Sequence, residues 1–242
     1  MRTRDERPLT AVSAGTWLVL CVALGAQIAW QALQPQPVAS AAALNAPPSP
    51  AVLRAVAGGE PAALAGLLTL RLQAFDNQPG ISIPFRNLDY SHVIQWLAAI
   101  LDLDPDTQYP LLMAAQLYAQ APGAARQRQM LDFVHREFLR DPDRRWRWLA
   151  HACLVAKHRL HDDALALQYA HDIARLAPAA PGWARQMQIF ILEDMGETQS
   201  AKILLGGLLA SGQVQDPHEI HFLMGRLQEL ESAENSSPTS KN

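Results

Sequence analysis

Apolar residues recur along most of this chain at the spacing of one helix face. Val93, Trp96, Leu97 and Ile100 form one stripe, Leu111, Ala114, Ala115 and Tyr118 a second, and Leu149, Ala152, Cys153, Ala156 and Leu160 a third. Leu165, Tyr169, Ile173 and Leu176 continue the pattern, followed by Trp183, Met187, Phe190 and Ile191, then Ala201, Leu204, Leu205 and Leu208, and lastly Ile220, Leu223, Met224 and Leu227. A period near 3.6 places each set on one side of a helix. Strand-like alternation is confined to residues 81–85, so the expected class is all-α. A short helix is expected from Pro50, broken by Gly58 and Gly59, with a stronger one from Pro61.

Breaks fall at regular intervals. Helix-ending phrases occur at Leu103, Asp104, Pro105, at Arg140, Asp141, Pro142, at Leu176, Ala177, Pro178 and at Gln215, Asp216, Pro217, with the prolines roughly 36 to 39 residues apart. Gly123, then His161, Asp162 and Asp163, then Gly196, Glu197 and Thr198 divide the later intervals into two helices each. A helical hairpin cannot bury both faces alone, so neighbours must stack. The final helix carries its own start signal: Asp216 as N-cap, Pro217 at the first position and Glu219 as capping-box partner. Its polar edge is expected to seal the stack.

With Met195, Gly196, Glu197, Thr198, Gln199, Ser200 and Ala201 reading as a hairpin turn, and Leu101, Asp102, Leu103, Asp104 and Pro105 as a repeat ending, the chain resembles a degenerate tetratricopeptide-repeat (TPR) protein over residues 89–231. The resemblance implies a right-handed superhelical stack of hairpins with a concave binding face. The Trp, Leu-Gly and Tyr signature is weak and the intervals exceed the ~34 residues of that repeat, so no peptide-clamp residues carry over.

The N-terminal part follows other rules. Arg2, Arg4 and Arg7 precede an uncharged run at 11–33, and ~20 apolar residues span a bilayer core. The next basic residue is Arg54, so the positive-inside rule places the N-terminus in the cytoplasm and exports the rest of the chain, with Trp17 and Trp30 at the interfaces. Ala39, Ser40 and Ala41 fit a signal-peptidase site and keep a cleaved, soluble product as an alternative, although the run is longer than an ordinary signal core. Leu18, Val19, Leu20 and Cys21 resemble a lipobox, with bulky Leu20 against it. The expected layout is a cytoplasmic stub at 1–10, a transmembrane anchor at 11–33, a Pro/Ala-rich spacer at 34–59, a helical domain at 60–231 and a disordered tail at 232–242.

Composition narrows the function. The net charge of -3 from 20 basic and 23 acidic residues argues against a general nucleic-acid binder, whose affinity rests on many phosphate contacts. Cys21 and Cys153 lie in separate segments, and no disulfide is expected. No G-x-S-x-G, phosphate-cradling glycine loop, H-E-x-x-H or C-x-x-C is present, and the adjacent Glu193 and Asp194 diverge by ~100° on a helix, which reads as a solvated helix end. His158 with His161, and His218 with His221, have i, i+3 spacing but no third ligand, so neither metal nor cofactor is expected.

Two segments remain as partner-binding candidates. The long loop at 76–90 carries Ile81, Ile83, Phe85 and Arg86, and either lies over the concave face near Tyr118 as a lid or packs on the first hairpin. Residues 140–148 interleave Arg144, Arg145 and Arg147 with Trp146 and Trp148, a set that stacks on a sugar or acidic peptide, or pairs with Asp141 and Asp143 while Trp148 and Leu149 turn inward. The expected function is a non-catalytic, membrane-anchored scaffold or adaptor on the extracytoplasmic side of a bacterial-type inner membrane, binding a protein or peptide. The alternative is a polysaccharide-binding accessory module of an envelope enzyme system.

Overall fold

The computed structural model describes residues 13–34, 41–78, 80–212 and 214–236, with side chains to 232. The stub with its arginines, Ala39 and Ser40 of the peptidase motif, and the last six tail residues lie outside this description. The chain divides into two compact units, Met1–Ala41 with Pro79–Ile81, and Ala42–Gln78 with Ser82–Asn242.

Helix α1, Ala14–Leu33, belongs to the first unit. Ser13 caps it by accepting the Thr16 N–H at 3.2 Å, and none of its side chains is buried. Twenty residues at ~1.5 Å each give a helix long and apolar enough to cross a bilayer.

Among the described residues, the regular structure after α1 is helical except for two-residue strands at Asn77–Gln78 and Ile81–Ser82. Pro50 and Pro61 occupy first-turn positions, where a missing N–H costs nothing, and start α2 (Pro50–Ala57) and α3 (Pro61–Gln73). Gly58 takes the left-handed conformation, φ 57°, and the two helices meet at a bend of 114°. Asp89 caps α4, Tyr90–Leu103. A short α5, Tyr109–Leu112, runs into a widened π-turn at Met113–Leu117 and a 3-10 turn at Tyr118–Gln120.

Then come α6 (Ala124–Arg140), α7 (Pro142–His158), α8 (Asp163–Leu176), α9 (Gly182–Arg185), α10 (Met187–Asp194), α11 (Thr198–Ala210) and α12 (Pro217–Ser236). The breaks at the sequence's Pro, Gly and Asp positions are present, and a further one falls at Gln186 between α9 and α10. Sequence neighbours pack together: α3 on α4, α6 on α7, α7 on α8, α10 on α11 and α11 on α12. The stripe on α4, the one running from α5 through the π- and 3-10 turns, and the one on α7 are buried, with Leu160 just after α7 half-buried.

Several expectations change. Trp183 is 57% exposed, and Leu204 and Met224 are also exposed. The α9/α10 break at Gln186 interrupts the register that placed Trp183 on a stripe, and α11 buries only Ala201 and Leu205. The last helix does not present a purely polar edge, because Phe222 and Met224 lie outward. Its Glu219 does not complete a capping box but reaches the buried Gln186 near Gly182, while Asp216 does cap, accepting the His218 N–H at 2.9 Å. That helix also continues to Ser236, five residues beyond the expected end of the helical domain at 231.

The distal part of the spacer is docked rather than free. Leu44 is buried, Gln78 bonds both backbone groups of Ala42, His92 donates to the Leu44 carbonyl and Trp96 to that of Asn45. Proline and alanine content disfavours helix and strand but leaves extended backbone available to be held by side chains from elsewhere.

Candidate functional site

The loop at 76–90 is anchored at both ends. Asp76 O accepts the Ile83 N–H at 2.7 Å, and Asp89 Oδ1 accepts the Ser91 N–H at 2.9 Å. Between them Pro84 leads into a 3-10 turn at Phe85–Asn87. Leu88 is buried, and Ile83 and Phe85 are half-buried against the core. Phe85 meets Tyr118 edge-on at 5.6 Å, and Tyr90 meets the same ring at 6.2 Å, a geometry favoured by the ring quadrupoles. The loop therefore covers Tyr118 and shares the core. Ile81 is half-buried and Arg86 exposed.

An open cleft of about 380 Å³ remains between this loop and the chain after the π-turn, lined by Pro84, Phe85, Arg86, Leu117, Gln120 and Pro122 among others. π-Turns are rare and frequently mark functional sites. The floor is apolar, formed by Pro84, Phe85, Leu117, Ala121 and Pro122, and the rim is polar: Arg86 is open to solvent, Arg159 Nη2 donates to Gln120 Oε1 at 3.0 Å, and Arg126 Nη1 donates to Pro122 O at 2.9 Å while lying 6.0 Å over the Tyr90 ring. The buried Tyr118 hydroxyl has no hydrogen-bond partner among the described residues. Burial, with Asp76 and Tyr90 nearby, raises its pKa above the ordinary 10. An apolar floor with cationic and amide groups at the rim suits an apolar side chain flanked by acidic or main-chain groups.

The basic segment divides. Arg145 is 3% exposed and donates to Glu137 Oε2 at 2.6 Å, Glu137 O at 2.9 Å and Pro105 O at 3.2 Å. Arg144 pairs at the surface with Asp106 and Asp141. Trp148 is buried and donates to Gln108 Oε1 at 2.7 Å. Trp146 is half-buried and meets exposed Trp183 edge-on at 5.6 Å, with the Arg147 guanidinium 5.7 Å from its ring.

The structure thus brings Phe85, Arg86 and Tyr118 together and leaves Trp146 elsewhere, beside Trp183. Leu117, Gln120 and Pro122 were missed by sequence reading because a π-turn leaves no mark in the 3.6 pattern. Of the pair Glu193 and Asp194, Glu193 is covered and binds Arg226, whereas Asp194 is the exposed end of α10 and binds Lys157. His158, His161, His218 and His221 are exposed. No protein-family model matches the chain, and no curated protein or solved structure is significantly similar to it.

Proposed function

We infer that this chain is a membrane-anchored, non-catalytic scaffold or adaptor whose TPR-like stack of hairpins binds a protein or peptide partner on the extracytoplasmic side. The observation that carries the reading is the open cleft beside the π-turn, with its apolar floor and polar rim. Anchoring complements modest affinity, because confinement raises effective concentration without adding contacts. A photo-crosslinking residue at Gln120 tests it in cells. The expected result is one specific crosslinked partner, lost in an Arg86→Glu background that melts like wild type. Unchanged crosslinking in that background, or none above a control position such as Ser211, removes the cleft from the function.

A second reading rests on a different group of residues. Half-buried Trp146 with exposed Trp183 and Arg147 forms an aromatic and cationic group of the kind that stacks on sugar rings, which supports a polysaccharide-binding accessory role. Retardation in polysaccharide-containing native gels, abolished by Trp183→Ala, is the result that favours it.

A further inference from the structure

Residues 42–45, outside any regular secondary structure, form a strap lying against α3, Gln78 and α4. Gln78 closes a two-point clamp on Ala42: its Oε1 accepts the Ala42 N–H at 2.8 Å and its Nε2 donates to the Ala42 carbonyl at 3.1 Å. Nε2 is steadied by Phe75 O at 3.2 Å. Further along, His92 Nδ1 donates to Leu44 O at 2.7 Å and Trp96 Nε1 to Asn45 O at 2.8 Å. Leu44 is the one buried side chain of the four, and it enters a socket of Leu68, Arg71, Leu72, Phe75 and Trp96.

Apart from the Gln78–Phe75 contact, each of these polar contacts runs from a groove side chain to the main chain of the strap, and the strap's own side chains supply only one leucine. Main-chain hydrogen bonds hold an extended segment whatever its sequence, and a pocket for one side chain adds selectivity. The exposed Ala42, Ala43 and Asn45 side chains add nothing that ties this particular segment to the groove.

We propose that the α3/α4 groove is a binding site for an extended, leucine-anchored peptide of otherwise small residues, in which the chain's own linker is the resident competitor. Being tethered, the linker acts at an effective concentration in the millimolar range, and an external peptide binds with affinity reduced by the fraction of time the groove is open. The site is separate from the Phe85–Leu117 cleft, so its failure leaves the cleft reading intact.

The test uses the full chain in detergent and a fluorescent peptide reproducing residues 41–47. Leu44→Asp expels the resident segment, and the expected result is peptide binding at least about tenfold tighter than to wild type. That gain disappears when Gln78→Ala is added, or when the peptide carries Asp in place of its leucine. Equal binding by wild type and a folded Leu44→Asp chain overturns the proposal. Should Leu44→Asp abolish cooperative melting, wild type decides: millimolar peptide accelerates hydrogen exchange at the Ala42 amide, and the Asp-bearing peptide does not. Exchange unaffected by saturating peptide overturns the proposal.

Discussion

Arg145 and its neighbour Arg144 both face carboxylates, in very different surroundings. Arg145 and Glu137 are almost wholly buried, so removing the guanidinium leaves a desolvated carboxylate with only the exposed Arg140 as its cationic partner, and Arg145→Ala is expected to cost about 3–5 kcal/mol in urea unfolding. Arg144 and Asp106 are largely exposed, where water screens the attraction, and Arg144→Ala is expected to cost less than ~1 kcal/mol. Equal effects would contradict the burial argument. His151 adds a pH dependence. Burial holds its pKa below the ordinary 6.5, so the unfolded chain takes up that proton at higher pH than the folded one. The stability contribution is full above about pH 6.5 and is lost as pH falls through the lowered value. His151→Gln is expected to shrink the drop in urea midpoint between about pH 7.5 and 5.5; an unchanged drop means another group is responsible.

At the scale of elements, periodicity marks the core only in part: the stripe of Leu111, Ala114, Ala115 and Tyr118 is buried across a broken segment, whereas Leu204 on unbroken α11 is exposed. Leu205, on unbroken α11, is fully buried in the small core shared with Leu192 and Leu223, and Leu205→Ala is expected to cost about 2–5 kcal/mol. Trp183, given the same inward role by spacing, precedes the break at Gln186 and stays largely in water, so Trp183→Ser is expected to cost under ~0.5 kcal/mol. Denaturant melts of the two variants separate these outcomes. The helix boundaries were legible because Pro, Gly and Asp fix local backbone geometry. The docked strap and the cleft were not, because each depends on groups far apart in sequence: Gln78 finds Ala42 only after α3 and α4 have packed. The one available sign was Leu44, an isolated large apolar residue within a run of small ones.

Over the whole molecule, polar ties recur at nearly one hairpin's separation. Asp102 with Arg140, Asp106 with Arg144, His135 with Asp172, Lys157 with Asp194, and Glu193 with Arg226 are 33 to 38 residues apart. Gln108 with Trp148 and Gln120 with Arg159 are 40 and 39 apart. Each hairpin thereby fastens the next at the spacing of the sequence breaks. Many of these ties are exposed and individually weak, so the stacking of apolar faces supplies most of the cohesion and the ties fix its register.

The arrangement of the full chain about a membrane gives the last prediction. An uncharged helix that comes after Arg2, Arg4 and Arg7 and precedes a segment without basic residues until Arg54 is expected to keep its N-terminus in the cytoplasm. A reporter fused after Asn242 is then active outside the cytoplasm, and the chain resists carbonate extraction from membranes. Cytoplasmic reporter activity would sink the orientation. Folding alone does not distinguish an uncleaved anchor from a signal peptide, because cleavage after Ala41 would spare every contact made by Ala42, Leu44 and Asn45. Mass measurement of the mature chain does: a full-length species supports the anchor, and a soluble species beginning near Ala42 replaces it with an exported, freely diffusing domain whose strap is still docked.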